Sequence, residues 1–271
     1  LATGIKFCAT AESQDLAQTT LKRLSLKEKM AKRLMKDITA ATQDPTLATQ
    51  GIWYVTDPAS IRLGYALIRG VEKTPYSELL GLFRFEFPED YPFAPPRVTW
   101  LTGDGFTRFH PQLYREGKVC LSILGTWSGP GWASTLNLVS ILQVLQTLFV
   151  ENPLSNEPGY EKGSLEDPKY RGYADFVEHQ SVAYMIQTLK PWVEGRQVGH
   201  PWAPFADEIQ PILPDIIGDI VAKTSERAEL PSKSLSNLMW GMFGVTRWKD
   251  LAVDAEILRS KIEAQAQVEG K

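Results

Sequence analysis

The sequence predicts an α+β fold, and three observations carry that prediction. Four strand candidates lie together between residues 52 and 101. The connections between them, such as residues 69–75, are too short for parallel crossovers and suit an antiparallel meander. An amphipathic helical run precedes this group, and a nearly continuous apolar run follows it. The layout is therefore an N-terminal helix, a four-stranded antiparallel sheet, a central helix and C-terminal helices, with a helical C-terminal extension beyond them.

From Leu16 to about Ala41, apolar residues recur at Leu21, Leu24, Ala31, Leu34, Met35 and Ile38, one face of a 3.6-residue period. The other face is basic, with Lys22, Arg23, Lys27, Lys29, Lys32, Arg33 and Lys36, and Asp44-Pro45 ends the helix. A charge run of this kind is either a solvated surface or a docking face for an acidic partner. Strands are expected at Ile52 to Val55, Ile61 to Ile68, Leu80 to Phe87 and Val98 to Leu101. In the third, Phe83, Phe85 and Phe87 alternate with Arg84 and Glu86, the pattern of a sheet with one buried face. From Leu136 to Phe149 apolar residues dominate, so this helix is expected to be buried on most sides, and Asn152-Pro153 stops it. A further helical pattern begins after Asp167-Pro168, with Lys190-Pro191 as its expected break. Prolines 191, 201, 204, 211 and 214 then mark a boundary or an irregular connection, and Leu235 to Phe243 and Leu251 to Ile262 look like two more helices.

Composition excludes several classes of function. A chain of 271 residues with 43% hydrophobic and 23% charged residues is an ordinary globular protein. A net charge of -3 and a pI near 5.8 argue against nucleic-acid binding through phosphate neutralisation. No stretch approaches the ~20 apolar residues of a membrane span. Two cysteines, Cys8 and Cys120, are too few for a disulfide framework, which points to a reducing compartment, cytoplasmic or nuclear. The three histidines, at 110, 179 and 200, lie at no metal-ligand spacing, so no metal site is expected. Leu1, without an initiating Met or a signal pattern, is taken as a processing boundary.

Chemistry concentrates between residues 87 and 161. A strand runs into the proline-dense turn Tyr91-Pro92-Phe93-Ala94-Pro95-Pro96; then come His110-Pro111-Gln112, Gly117-Lys118-Val119-Cys120-Leu121 and Trp132. Taken alone, an unpaired cysteine is most often a small buried hydrophobe. A thiolate can instead hold an acyl group as a thioester that an amine readily attacks, although an unperturbed cysteine has only a few per cent thiolate at neutral pH. His110 could serve as the base of a cysteine hydrolase, but the proline after it restricts its backbone and no Asn or Asp stands out to orient it.

In this order, the motifs resemble the ubiquitin-conjugating enzymes over roughly Leu16 to Leu189. Leu121 to Trp127, Glu151-Asn152-Pro153 and Asn156 to Glu161 look most like the large, C-terminally extended subclass called Z-type. The resemblance implies the UBC fold, with residues 1–15 as a tail, 16–190 as the catalytic core and 191–271 as a helical extension packed on it. It implies a modifier, ubiquitin or ubiquitin-like, carried on Cys120 from an activating enzyme to a lysine of a protein substrate or to a ligase cysteine, and it implies no cofactor. It also implies that His110 and Pro111 shape the active-site loop. Gln112 stands where the family has Asn, whose amide is credited with supporting that loop or the oxyanion of the tetrahedral intermediate. Glu157 falls where an acidic residue often orients the incoming amine, or is simply one exposed acid of a polar loop. Partner contacts are implied for Lys22, Arg23 and Lys27 on the first helix, for Phe93 and Pro95 in one loop, and for Trp132, expected to open a helix, and Ser134 in the other. Ser134 replaces the family's usual Pro. Residues 125–131 lengthen the loop after the cysteine, and an exposed Trp127 there would mean acceptor or modifier contact. Every motif precedes Pro191, so the extension is expected to shape specificity without being needed for the chemistry, while Leu235, Leu238, Met239, Trp240 and Phe243 cover part of the core. The rival reading is a non-catalytic ubiquitin-binding scaffold on the same fold.

Overall fold

A computed structural model of the chain describes residues 11–236 and 238–269. Cys8 and the first ten residues of the expected tail lie outside them, and from Ala11 the chain is already helical. Helix α1 (Ala11–Gln43) stops one residue before Asp44, whose side chain caps the short α2 (Pro45–Thr49) by accepting from the Thr46 N–H. Strands β1 (Ile52–Asp57), β2 (Ser60–Arg69), β3 (Leu80–Glu86) and β4 (Arg97–Trp100) form one antiparallel sheet in sequence order. Phe83, Phe85 and Phe87 are buried as their alternation predicts, and Arg84 pairs with Glu86 on the other face. Helix α3 (Leu138–Gln146), capped by Asn137, buries Leu138, Ile141, Leu142 and Leu145, and α1 and α3 both pack on the sheet. The α+β architecture is the one the sequence predicts.

Several details differ. The buried stripe of α1 is Met30, Leu34, Ile38 and Ala41, whereas Leu24 and Met35 are exposed. The side chains of Leu21 and of residues 11–18 lie outside those described, and among the described ones the buried positions of α1 begin at Met30. Helix α4 (Pro168–Val193) runs through Pro191 instead of ending there. The proline sits in the last turn, where its missing N–H costs one bond and the Glu194 N–H still closes on the Lys190 carbonyl. The proline-dense stretch is largely helical: α5 (Ala206–Ile209) and α6 (Leu213–Arg227) follow one another, with Pro214 in the first turn of α6, where no N–H is needed. The helix expected over Leu235 to Phe243 does not form among the described residues: Leu235 ends a strand, and Met239–Gly241 is a single 3-10 turn. Strands β5 (Lys233–Leu235) and β6 (Gly244–Thr246) pair as a small hairpin, and between them Trp240 and Gly241 take positive φ, which ends any helical path. Helix α7 (Trp248–Glu269) closes the fold.

The extension shares the core. Trp192, Trp202, Phe205, Ile216, Ile217 and Ile220 are buried in the same hydrophobic cluster as the sheet, and Lys223 of α6 lies between Glu78 and Glu178 at 3.6 and 3.3 Å. Of the apolar residues expected to cover the core, Leu235 is buried and Leu238, Met239 and Trp240 are half-buried, but Phe243 is exposed. Among the described residues no helix is long and apolar enough to cross a membrane.

Candidate active site

Cys120 sits on a segment hooked to the edge of the sheet. Thr99 of β4 bridges to Lys118, and the Trp100 N–H donates to the Gly117 carbonyl at 2.8 Å. Gly117, at φ +93, turns the chain against β4, where a Cβ would lie 3.0 Å from both Thr99 Cγ2 and the Trp100 carbonyl oxygen. The glycine three residues before the cysteine therefore has a steric cause.

The preceding loop is held from below. Tyr76 donates its hydroxyl to the Phe109 carbonyl at 2.6 Å and Tyr173 of α4 donates to the Arg108 carbonyl at 2.8 Å. Burial pushes both phenols well above their ordinary value, so both remain protonated donors. His110 is fully buried, its Nδ1 accepting the Gln112 N–H at 3.1 Å. Burial, with the Arg108 charge nearby, lowers its pKa to about 3, so the ring is neutral. The Gln112 carbonyl in turn accepts the Cys120 N–H at 2.9 Å, which joins the loop to the cysteine. Gln112 itself is half-buried, and its side-chain amide has no hydrogen-bond partner among the described residues.

The Cys120 residue is only 1% exposed. On its other side Thr126 pins the chain: its hydroxyl contacts the Val119 carbonyl at 2.7 Å and accepts the Leu121 N–H at 2.9 Å. Residues 125–131 are all exposed, Trp127 by 40%, and 127–131 make no hydrogen bond among the described residues. Lys118 points its ammonium over the Tyr114 ring at 5.5 Å. Glu157 is half-buried at the end of the 3-10 turn Pro153–Asn156 and is not hydrogen-bonded to Cys120, Gln112 or His110. Its link to the site is electrostatic, through Tyr173, whose phenol is raised first by burial and also by this carboxylate.

The residues expected to meet partners form a second group. Lys22, Arg23 and Lys27 are exposed on α1, and Lys27 reaches Glu89 at 3.7 Å beside the proline-dense turn. Phe93 is 65% exposed there, with Pro95 half-buried near it. Trp132 does not open a helix, which begins only at Leu138; its indole donates to the Pro92 carbonyl at 2.7 Å and so ties the two loops together. Arg33 of α1 donates to the carbonyls of Ser134 and Leu136 at 3.0 and 2.8 Å, while Asp37 holds its other side. Helix and loops thus make one continuous surface.

Sequence reasoning missed Arg108, Tyr76, Tyr173 and Thr126. A hydroxyl residue in a glycine-rich loop is a weak signal for backbone bonding, which fits Thr126. Tyr76 and Tyr173 have no local signal because their partners are distant in sequence, and Arg108, although Pro111 and Tyr114 are near it, is covered by the distant Trp240. Among the described residues no group of His, Cys, Asp and Glu is arranged to hold a metal ion.

A family model described as ubiquitin-conjugating enzyme matches residues 33–172, which contain this whole loop system. Among curated proteins, the chain is 41% identical over 155 residues to Ubiquitin-conjugating enzyme E2 Z of Xenopus tropicalis, covering 57% of this chain and 48% of that one. The Homo sapiens E2 Z is 40% identical over 155 residues, covering 57% and 43%. A Homo sapiens protein named Dual E2 ubiquitin-conjugating enzyme/E3 ubiquitin-protein ligase BIRC6 is 39% identical over 141 residues, covering 49% of this chain and 3% of that one. The chain spans about half the length of the E2 Z relatives it matches. With the match extending over half its residues, including the loops on both sides of Cys120, the chain belongs to the ubiquitin-conjugating enzyme family, most like its Z-type members.

Proposed function

We propose that the protein carries ubiquitin or a ubiquitin-like modifier as a thioester on Cys120 and passes it to an amine or to a ligase cysteine. The supporting observation is the backbone bond from the Cys120 N–H to the Gln112 carbonyl, which ties the only cysteine among the described residues to a residue whose side-chain amide has no hydrogen-bond partner there. In this reading the Cys120 thiolate attacks the modifier's thioester on the activating enzyme, whose sulfur leaves as thiolate. A lysine amine then attacks the carbonyl on Cys120, the tetrahedral oxyanion is stabilised by a nearby donor, and the Cys120 thiolate departs as the amide forms. Gln112 is the candidate donor, and Glu157 orients the amine and accepts its proton. His110 supports the loop: its burial disfavours the imidazolium that a hydrolase base would have to become.

Access to the thiol requires one flank to move, and residues 127–131, without hydrogen bonds, are the side that can yield. Exposed Trp127 then meets the acceptor or the modifier. The surface built from α1 and the loops at Phe93, Pro95, Trp132 and Ser134 receives activating enzyme and ligase in turn. Residues 16–190 carry the reacting groups and 191–271 form the extension packed on them, with the division falling inside α4.

The test is charging with activating enzyme, ATP and candidate modifiers, resolved on a non-reducing gel. The native chain should form a thiol-sensitive adduct, and Cys120→Ser a thiol-resistant, hydroxylamine-labile ester or none. Thiol-sensitive charging that survives in Cys120→Ala would sink the assignment.

A further inference from the structure

The extension touches the active-site loop through the side chain of Trp240. Arg108, at the start of that loop, is buried, and among the described residues no acidic side chain pairs with it. Its guanidinium is instead stacked between two rings, 3.8 Å from the centroid of Tyr114 and 4.2 Å from that of Trp240. From this position it donates to the Pro111 carbonyl, one residue before Gln112. The hairpin adds backbone ties to the same loop: the Arg108 N–H donates to Met242 Sδ at 3.2 Å, and Arg115 donates to the Trp240 carbonyl at 3.1 Å. Trp240 also meets Tyr173 edge-on at 5.5 Å.

Trp240 holds its place at a φ of +57, a left-handed conformation that is strained for any residue with a Cβ. A glycine would take that conformation freely, so the ring is what the position supplies. A desolvated guanidinium without a carboxylate needs compensation, and the negative faces of two aromatic rings provide it.

We propose that Trp240 is a positioning residue for acyl transfer. It closes the second face of the stack on Arg108, and through the Arg108–Pro111 bond it fixes the backbone that presents Gln112 and receives the Cys120 N–H. This rests on the thioester reading for its chemistry, and it makes the extension part of the transfer machinery. Without the ring, water competes for the guanidinium and the loop gains freedom, which costs rate because small misplacements of a stabilising donor are expensive.

The experiment uses the full chain with Trp240→Gly, which removes the ring and relieves the backbone strain, and Trp240→Phe, which restores an aromatic face. Phe243→Ala is the control, since Phe243 packs on Phe106 from the same hairpin. The first readout is single-turnover discharge of the charged protein against lysine concentration. The second is the alkylation rate of Cys120 by iodoacetamide, which needs no activating enzyme.

Trp240→Gly should lower the saturating discharge rate about tenfold, leave half-saturating lysine within about twofold, and speed alkylation several-fold. Trp240→Phe should recover most of both effects, and Phe243→Ala should show neither. Arg108→Lys, which keeps the charge but not the planar stack, should reproduce the discharge loss with the hairpin intact. Discharge and alkylation at native rates in Trp240→Gly, or in Arg108→Lys should the glycine variant not fold, would overturn the proposal. Equal impairment in Phe243→Ala would overturn it too, by reducing Trp240 to a prop for the hairpin. Failure of the native chain to charge would remove the thioester reading, yet the alkylation comparison would still decide whether Trp240 holds the loop.

Discussion

The two segments that flank Cys120 are held by opposite means. On one side residues 108–114 are fixed from beneath by the hydroxyls of Tyr76 and Tyr173 and from the side by the guanidinium of Arg108. On the other, Thr126 makes the last backbone attachment, and residues 127–131 stand in solvent. A transfer enzyme has two demands at one atom: donors that do not move when charge develops, and an opening for a large acyl group and its acceptor. Under the proposed thioester reading, these demands fall on two sides of the cysteine. Substitutions on the fixed side should then act on rate, and those on the free side on acceptor binding.

The largest effect is expected at Gln112. Gln112→Ala should slow discharge about tenfold or more while charging persists, whereas Gln112→Asn should stay within a few-fold. Equal single-turnover rates for all three proteins would take this amide out of the mechanism. Glu157→Ala should slow discharge to free lysine several-fold and leave charging intact. A loss of charging instead would assign the residue to loop structure or activating-enzyme docking. On the free side, Trp127→Ala should raise half-saturating acceptor about threefold with little change at saturation. A change confined to the saturating rate would break the comparison, because the exposed flank would then be acting as a fixed one.

A separate prediction concerns stability alone. Folded His110 stays neutral down to about pH 3, whereas an unfolded histidine takes a proton near its ordinary value of 6.5. Nothing is lost above that value; below it the unfolded chain binds the extra proton, and stability falls at up to about 1.4 kcal/mol per pH unit. Urea midpoints between pH 7 and 4 should therefore decline less steeply in His110→Gln. An unchanged slope would assign the acid sensitivity to other groups.

The fold was legible where patterns are local. Alternation at Phe83, Phe85 and Phe87 announced a sheet, and the apolar run around Ile141 announced its covering helix. Within the site, the order of His110, Gln112, Gly117 and Cys120 was legible as a family-like motif, and the bonds His110–Gln112 and Gln112–Cys120 span only a few residues. Illegible were the parts decided by distant contacts. Pro191 looked like a breaker because its tolerance depends on lying in a last turn. Leu235 to Phe243 has the apolar content of a helix, yet strands on either side pair as a hairpin, and Trp240 and Gly241 take positive φ where Trp240 meets Arg108 and Tyr173. Arg108 itself gives no sign in sequence of the ring that covers it.

That hairpin also sets an order of events in time. Its bonds to the active-site loop join residues 125 and 134 positions apart, among the most distant pairings in the chain. Contacts of that separation form late in folding, and during synthesis the later partner does not yet exist when the earlier one leaves the ribosome. Cys120 is thus made first and its surroundings finished last. A nascent chain carries Cys120 on a loop without its clamp, so a pulse of alkylating reagent during refolding should find this thiol reactive until the hairpin docks and protected afterwards.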